Sequence, residues 1–318
     1  MSAPLADALA TALGRPVARL TPIARGDLND AYVATLADGE RVFVKTSADA
    51  AVGGYAAEAE GLAWLADADA LPLPRVLAVG DGAASPAPAA PHAPAASHAP
   101  AASHAPAASP APVAPRFLAL EWIDAGPATA AADEALGRGL AALHAAGAPQ
   151  FGGPADTLRI GPLALPNAPA PDWPEFYATR RLLPLARGAA DRGALPPGTE
   201  ALLDRVIERM PALAGPPEPP ARAHGDLWGG NVLTDRAGRP WLIDPAAHGA
   251  HRELDLAMLR LFGGPYQRCF AAYEEVAPLA PGAQERVALW QLAPLLLHAV
   301  LFGGGYGERA AQILRRYA

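Results

Sequence analysis

The stretch HGDLWGGNVL, His224–Leu233, decides the reading of this 318-residue chain. An aspartate followed five positions later by an asparagine, in a short loop entering a β-strand, has the layout of a phosphotransferase catalytic loop. In that layout Asp226 accepts the proton of a substrate hydroxyl and Asn231 offers its amide oxygen to a magnesium ion. A second stretch, WLIDPA (Trp241–Ala246), supplies what the first lacks. Three apolar residues lead into Asp244, and a carboxylate at the end of a buried strand is costly unless it is paired or bound to metal. Asp244 would hold Mg2+ against nucleotide phosphates. Alone, HGD reads equally as a capping aspartate in a turn, and LIDP as a strand stopped by proline. Together, in this order and at this spacing, they point to one site.

A third stretch, RVFVKTS (Arg41–Ser47), contains the only lysine of the chain; the other 24 basic side chains are arginine. An ammonium differs from a guanidinium in being a compact, strongly hydrated point charge, which matters beside a phosphate. On the third strand of a kinase-like lobe a lysine contacts the α- and β-phosphates and pairs with a glutamate on the following helix. Lys45 sits on the third expected strand. Glu58 and Glu60 lie on the next helix, two apart and unable to share a face; Glu58 is the expected partner and Glu60 the solvated one. Gly26, and Glu121 and Ile123 at the end of the last strand of this region, complete the expected nucleotide contacts.

Around these stretches the periodicity changes along the chain. After an amphipathic first segment come three β-rich runs between Val17 and Thr46, with Ala37-Asp38-Gly39 as a hairpin turn. A helix from Gly54 and two strand-like runs, 74–80 and 116–122, follow. Between those two lie 33 residues, Ala83–Pro115, made of 16 Ala, nine Pro, four Ser, three His and one Val, with three tandem copies of HAPAAS. Proline at this density forbids helix and sheet ladders, and nothing there is large enough to bury. It reads as an expanded loop between adjacent strands, tolerated because loop-closure entropy grows slowly with length; six-residue histidine spacing also admits metal binding. Beyond Trp122 the pattern is helical, over 130–146, 172–190, 198–210, 253–262, 265–276, 282–302 and 307–317. The expectation is an α+β, two-lobed architecture: a small antiparallel-sheet lobe (1–124) with the insert at 83–115, and a helical lobe (125–318) facing it across a cleft.

Composition narrows the function classes. A net charge of −7, with no Lys/Arg run, argues against nucleic acid or an anionic membrane as the partner. One cysteine, Cys269, excludes an intrachain disulfide and a cysteine-based zinc cluster. The first residues lack the basic flank and apolar core of a signal peptide. The most apolar stretch, 288–302, is interrupted by Gln291, Pro294 and His298 and reads as a buried helix. A cytoplasmic protein is expected.

With these residues in place the chain resembles the fructosamine kinase (ketosamine-3-kinase) family, within the aminoglycoside-phosphotransferase-like group. HGDLWGGN is similar to that family's HGDLW-small-GN, and DPAAHGAHRELDLAML to its DPA…GHRE-x-DLAM element. GDLNDAY, EAEGLAWL, and IGPLALPN followed by DWPEFYATRRLLP agree in kind and order. The resemblance covers nearly the whole chain except the HAPAAS insert.

The resemblance implies a protein-kinase-like fold and ATP-dependent phosphorylation of a sugar hydroxyl on ketosamines, the small-molecule or glycated-amine acceptors from which the amine is then recovered. It implies Asp226 as base, Asn231 and Asp244 as Mg2+ ligands, Lys45 with Glu58 as the ion pair, and Trp228 as a platform for the sugar. Trp228 also reads as a core residue bracing the loop. His251 and Glu253 are expected to orient substrate, although Glu253 equally suits the first turn of a helix. The sequence departs from the family where Arg25 precedes Gly26 and where Ala250 separates Gly249 from His251. Two rival readings stay open: a small-molecule kinase acting on an aminoglycoside, choline-like alcohol or homoserine, and a pseudokinase scaffold.

Overall fold

The computed structural model describes residues 2–25, 29–47, 50–81, 114–153 and 155–318. Gly26, and all of the Ala/Pro/His insert but its last two residues, lie outside the described residues. The chain divides into two compact units, residues 1–55 with 77–119, and residues 56–76 with 120–318. The segment 56–76, expected in the small lobe, is counted with the larger unit.

The first unit is built on a sheet. Helix α1 (Ser2–Leu13) precedes β1 (Val17–Arg25), β2 (Asp30–Leu36) and β3 (Arg41–Thr46), and the sheet is completed by β4 (Val76–Gly80) and β5 (Phe117–Glu121). The strand order is β1-β2-β3-β5-β4. The β2–β3 hairpin closes where expected: Leu36 donates to Glu40 O at 2.9 Å, and the Asp38 carboxylate accepts from Glu40 N at 3.1 Å. Alternation along β3 sends Val42 and Val44 into a core with Leu5, Leu9, Ala34, Leu36, Phe117 and Ala119. Lys45 falls on the opposite face and is nonetheless only 4% exposed. Its register partner on β2 is Ala31.

Helix α2 (Gly54–Ala66), all but its first two residues in the larger unit, is followed there by α3 (Ala130–Ala145), capped by the Thr129 hydroxyl on Ala132 N. Helix α3 packs closely on α8 (Gln267–Val276): a Cβ at Gly137 would stand 2.1 Å from the Cys269 carbonyl oxygen. The IGPLALPN region forms a hairpin, β6 (Thr157–Ile160) with β7 (Leu163–Pro166). Its strands are too short to stand out in the sequence.

Two helices expected as continuous are broken, each near a proline. The 172–190 segment begins as α4 (Trp173–Phe176), capped by Asp172. It then widens into a π-helical stretch, Tyr177–Leu182, and resumes as α5 (Leu183–Asp191). Pro184 has no N–H for the i−4 carbonyl, and Leu183 N donates instead to Ala178 O, five residues back. After α6 (Thr199–Leu213) and the elements of the site come α9 (Ala283–Trp290) and α10 (Leu292–Phe302), parted at Gln291. Pro294 leaves the Trp290 carbonyl without a helical donor, and the Tyr177 hydroxyl takes that place. It bonds Leu289 O and Trp290 O at 3.0 Å each, and Ala293 N donates back to it at 3.0 Å. Leu292, Leu295 and Leu296 are fully buried in the large core, so this most apolar segment is an interior helix. Helix α11 (Tyr306–Tyr317) closes the chain with Leu314 in the same core.

Candidate active site

The HGD and LID stretches meet in the larger unit. Strand β8 (Ala221–Ala223) leads into His224-Gly225-Asp226, a 3-10 turn spans Gly229–Asn231, and β9 (Val232–Thr234) pairs with β10 (Pro240–Leu242). Strand β11 (His248–Ala250) returns to pair with β8. The residues on both sides of Asp244 are laced to the loop. Ile243 N donates to Asn231 O at 3.0 Å, the His224 Nε2–H donates to Ile243 O at 2.9 Å, and Ala246 N donates to His224 O at 2.9 Å. Asp244 itself has φ +53°, left-handed backbone that costs a non-glycine residue about 1 kcal/mol or more. The surrounding bonds hold it there.

Asn231 joins the three predicted residues. Its Nδ2 donates to Asp226 O at 2.8 Å, to the Asp226 carboxylate at 3.2 Å and to Asp244 O at 3.4 Å. The amide nitrogen is thus committed, which leaves Oδ1 as the atom that can face a cation. No group of three or more His, Cys, Asp or Glu among the described residues could hold a metal alone. An Asn oxygen and one carboxylate, completed by phosphate oxygens, is the donor set Mg2+ accepts.

What fixes the loop is an acid near it in the sequence that was not among the expected site residues. Asp255 lies on α7 (Glu253–Leu261) and is fully buried. Its carboxylate accepts His224 N at 2.7 Å, Gly225 N at 2.8 Å and His144 Nε2–H at 3.2 Å. Burial alone would push this carboxyl up, but the His144 hydrogen bond and the surrounding donors hold it below its ordinary value. His144 in turn accepts from the Tyr273 hydroxyl at 2.8 Å, which fixes its tautomer. The visible signal was a carboxylate inside the apolar run Leu254–Leu259, where only a satisfied one survives. Gly225 is required here: its φ is +80°, and a Cβ would come 2.1 Å from Ala246 O.

The structure places the remaining predicted residues as follows. Trp228 is 40% exposed, with its ring edge-on to Phe262 at 5.9 Å, so it lies at the surface and not in the core. Glu58 is half-buried and lines a pocket with Pro245, Ala246 and Ala247, just beyond Asp244, while Glu60 is exposed at its rim. The Glu121 carboxylate accepts the Arg75 N–H and Nε–H at 3.2 and 3.1 Å; Ile123 follows in the half-buried segment after β5. Lys45 belongs to the first unit and Gly26 lies outside the described residues.

Glu253 takes the first-turn position that the sequence left open for it, at the start of α7, and both it and His251 are buried. Glu253 is buried, with Oε1 held by Arg286 Nη2 at 2.5 Å and Oε2 by Arg286 Nε at 2.9 Å and Trp290 Nε1 at 2.8 Å. Both oxygens are consumed inside the protein. His251 is buried, stacked on Trp290 at 5.6 Å, and Arg252 between them is clamped by Glu218 at 2.7 and 2.9 Å. The HRE element is an internal brace.

A pocket opens directly on Asp226. It offers about 460 Å3, part of it open to solvent. Its walls come from the β6–β7 hairpin, α5, α7 and α10, with Gly225, Asp226, His248, Tyr177 and Arg181 among its lining. The site therefore combines a carboxylate held by Asn231, an amide oxygen and a second carboxylate of the kind that can take a cation, an exposed indole, and a largely apolar chamber. That combination suits phosphoryl transfer to a small acceptor.

Comparison with known proteins agrees with this geometry. The fructosamine kinase family model matches residues 1–318. A probable ketoamine kinase of Synechocystis is 33% identical over 300 residues, 92% of this chain and 88% of that one. A chloroplastic protein-ribulosamine 3-kinase of Oryza sativa is 35% identical over 208 residues, 63% of this chain and 58% of that one. Among solved structures, a Thermobifida fusca protein assigned as a fructosamine-3-kinase is 43% identical with a TM-score of 0.82, covering 98% of this chain and 97% of that one. Aminoglycoside phosphotransferase APH(4)-Ia, at 17% identity and a TM-score of 0.61 over both full chains, shares the kinase-like α+β fold. The chain belongs to the fructosamine kinase family.

Proposed function

We propose that this protein is an ATP-dependent kinase that phosphorylates a sugar hydroxyl of a ketosamine. The observation that carries the reading is the single hydrogen-bonded unit formed by Asp226, Asn231 and the backbone around Asp244, in a member of a kinase family. Asp226 accepts the hydroxyl proton as the oxygen attacks the γ-phosphate. Asn231 Oδ1 and the Asp244 carboxylate would hold Mg2+, which would supply positive charge against the phosphates. Lys45, Glu58, Gly26, Glu121 and Ile123 serve the nucleotide, with Glu121 offering its backbone since its carboxylate is spent on Arg75. Trp228 carries the sugar on its exposed face.

ATP as donor is supported by the kinase family and by a fold relative, APH(4)-Ia, solved with ADP and hygromycin B. The reaction belongs in the cytoplasm, where ATP is available. The test is an ATP-coupled panel of fructosyl- and ribulosyl-amines, choline, homoserine and kanamycin at equal concentration. Turnover confined to the ketosamines is expected. Preference for kanamycin would reassign the acceptor, and no turnover on any would favour a scaffold.

A further inference from the structure

The pocket beside Asp226 contains two polar groups that the phosphoryl transfer does not use. Arg181, on the π-helical stretch, is buried, yet among the described residues no carboxylate pairs with it. Its Nη1 donates to Pro166 O at 2.7 Å and Arg180 O at 3.0 Å, and its Nη2 to Asn167 Oδ1 at 2.7 Å. A guanidinium has five N–H bonds; among the described residues Nε–H and one on Nη2 find no acceptor. Burial lowers its pKa only to about 9, so it remains a cation near neutrality. A buried cation without a counter-charge is expensive and is a standing invitation to an anion.

The second group is His248, 1% exposed. Its Nδ1 lies 2.8 Å from Ala246 O and must carry the hydrogen, so Nε2 is a bare acceptor, and among the described residues it has no partner. Phe176 joins the two: its ring stacks on His248 at 5.9 Å and carries the Arg181 guanidinium carbon 4.6 Å from its centroid. Between them and the catalytic loop the walls are aliphatic, including Leu158, Leu165, Leu254 and Leu297.

We propose that this pocket is an amino-acid subsite. Arg181 receives the carboxylate of a ketosamine formed on an amino acid. His248 Nε2 accepts a hydrogen from the ketosamine ammonium, and the aliphatic walls cover the carbon chain between them. This rests on the ketosamine kinase reading and names the acceptor class for it: a small zwitterion rather than a simple alkylamine adduct.

The experiment compares two matched substrates in the ATP-coupled assay, the 1-deoxyfructosyl derivatives of β-alanine and of propylamine, which differ by carboxylate against methyl. A charge-assisted bidentate contact predicts a KM about tenfold or more lower for the β-alanine derivative, with kcat within a few fold. Arg181→Met should collapse that ratio, and His248→Leu should raise KM for both. Because Arg181 also ties the β6–β7 hairpin and its variant can misfold, a second arm uses the unaltered protein. Propionate should compete with the β-alanine derivative, whereas propylammonium and inorganic phosphate at the same concentration should not. Turnover of both derivatives with equal KM, or inhibition by phosphate as strong as by propionate, overturns the subsite while leaving the kinase reading in place. No turnover of any ketosamine overturns that reading, and the subsite falls with it.

Discussion

Asn231 donates through one nitrogen to both the backbone oxygen and the carboxylate of Asp226, at 2.8 and 3.2 Å. The residue proposed to hold the cation therefore also orients the proposed base. Asn231→Asp keeps the shape but replaces the donor with a second carboxylate beside Asp226. Two adjacent carboxylates cannot both ionise easily, and one would retain its proton. We expect kcat to fall by about 10²-fold or more with the melting temperature little changed. A variant with near-normal kcat would separate the two roles.

Asp255→Asn tests the anchor behind the loop. The amide substitutes donors for one of the oxygens that now receive His224 N, Gly225 N and His144, leaving buried N–H groups facing N–H. Breaking a buried, charged hydrogen-bond network costs about 3 kcal/mol or more. A displaced Asp226 also costs rate, about 10²-fold for an ångström-scale shift. Thermal melts and kcat should fall together; a loss of neither would mean that the loop is held by other contacts.

Glu253→Gln separates brace from substrate contact. It leaves Arg286 buried beside a neutral group, a cost of about 3–5 kcal/mol. The melting temperature should drop sharply, and the double replacement Glu253→Met with Arg286→Met should recover much of it. A variant with unchanged melting temperature and raised acceptor KM would restore the substrate-orienting role expected from the sequence.

Much of this was legible in the sequence, and the exceptions have a common cause. That Asp226, Asn231 and Asp244 come together could be expected because the proposed chemistry asks for those residue types at short spacing. The strands β1–β5 and their hairpin turn followed from alternation and Asp38-Gly39. Glu253 misled because a first-turn acid near a catalytic loop looks the same whether it faces outward to a ligand or inward to Arg286. That distinction depends on a partner 33 residues away. The anchoring role of Asp255, with His144 and Tyr273, was hidden for the same reason: a carboxylate inside an apolar run shows only that it must be satisfied, and its partners lie on other elements. The breaks at Tyr177–Leu182 and Gln291 fall near Pro184 and Pro294, but the hydroxyl that satisfies the freed Trp290 carbonyl comes from Tyr177, 113 residues away.

Acid should unfold the protein earlier than its carboxylates alone require. His224, His248 and His251 are buried and pulled below their ordinary value of 6.5, His248 to about 3, chiefly by desolvation. Folded, they stay neutral; unfolded, they bind protons below about pH 6.5. Their stabilising contribution is thus fully present above that pH and is lost progressively as pH falls towards each native value. Each contributes a slope of up to about 1.4 kcal/mol per pH unit. Melting temperatures measured from pH 7.5 to 5 should decline, less steeply in His248→Phe. A flat profile would mean that these rings titrate alike in both states.

The most direct test of the central claim is Asp226→Asn assayed on a ketosamine with ATP. The unaltered protein should phosphorylate the sugar, and the variant should still bind nucleotide while kcat falls by about 10²-fold or more, the contribution of a positioned general base. A variant that kept most of its kcat, with the same phosphorylated product, would show that Asp226 is not the base.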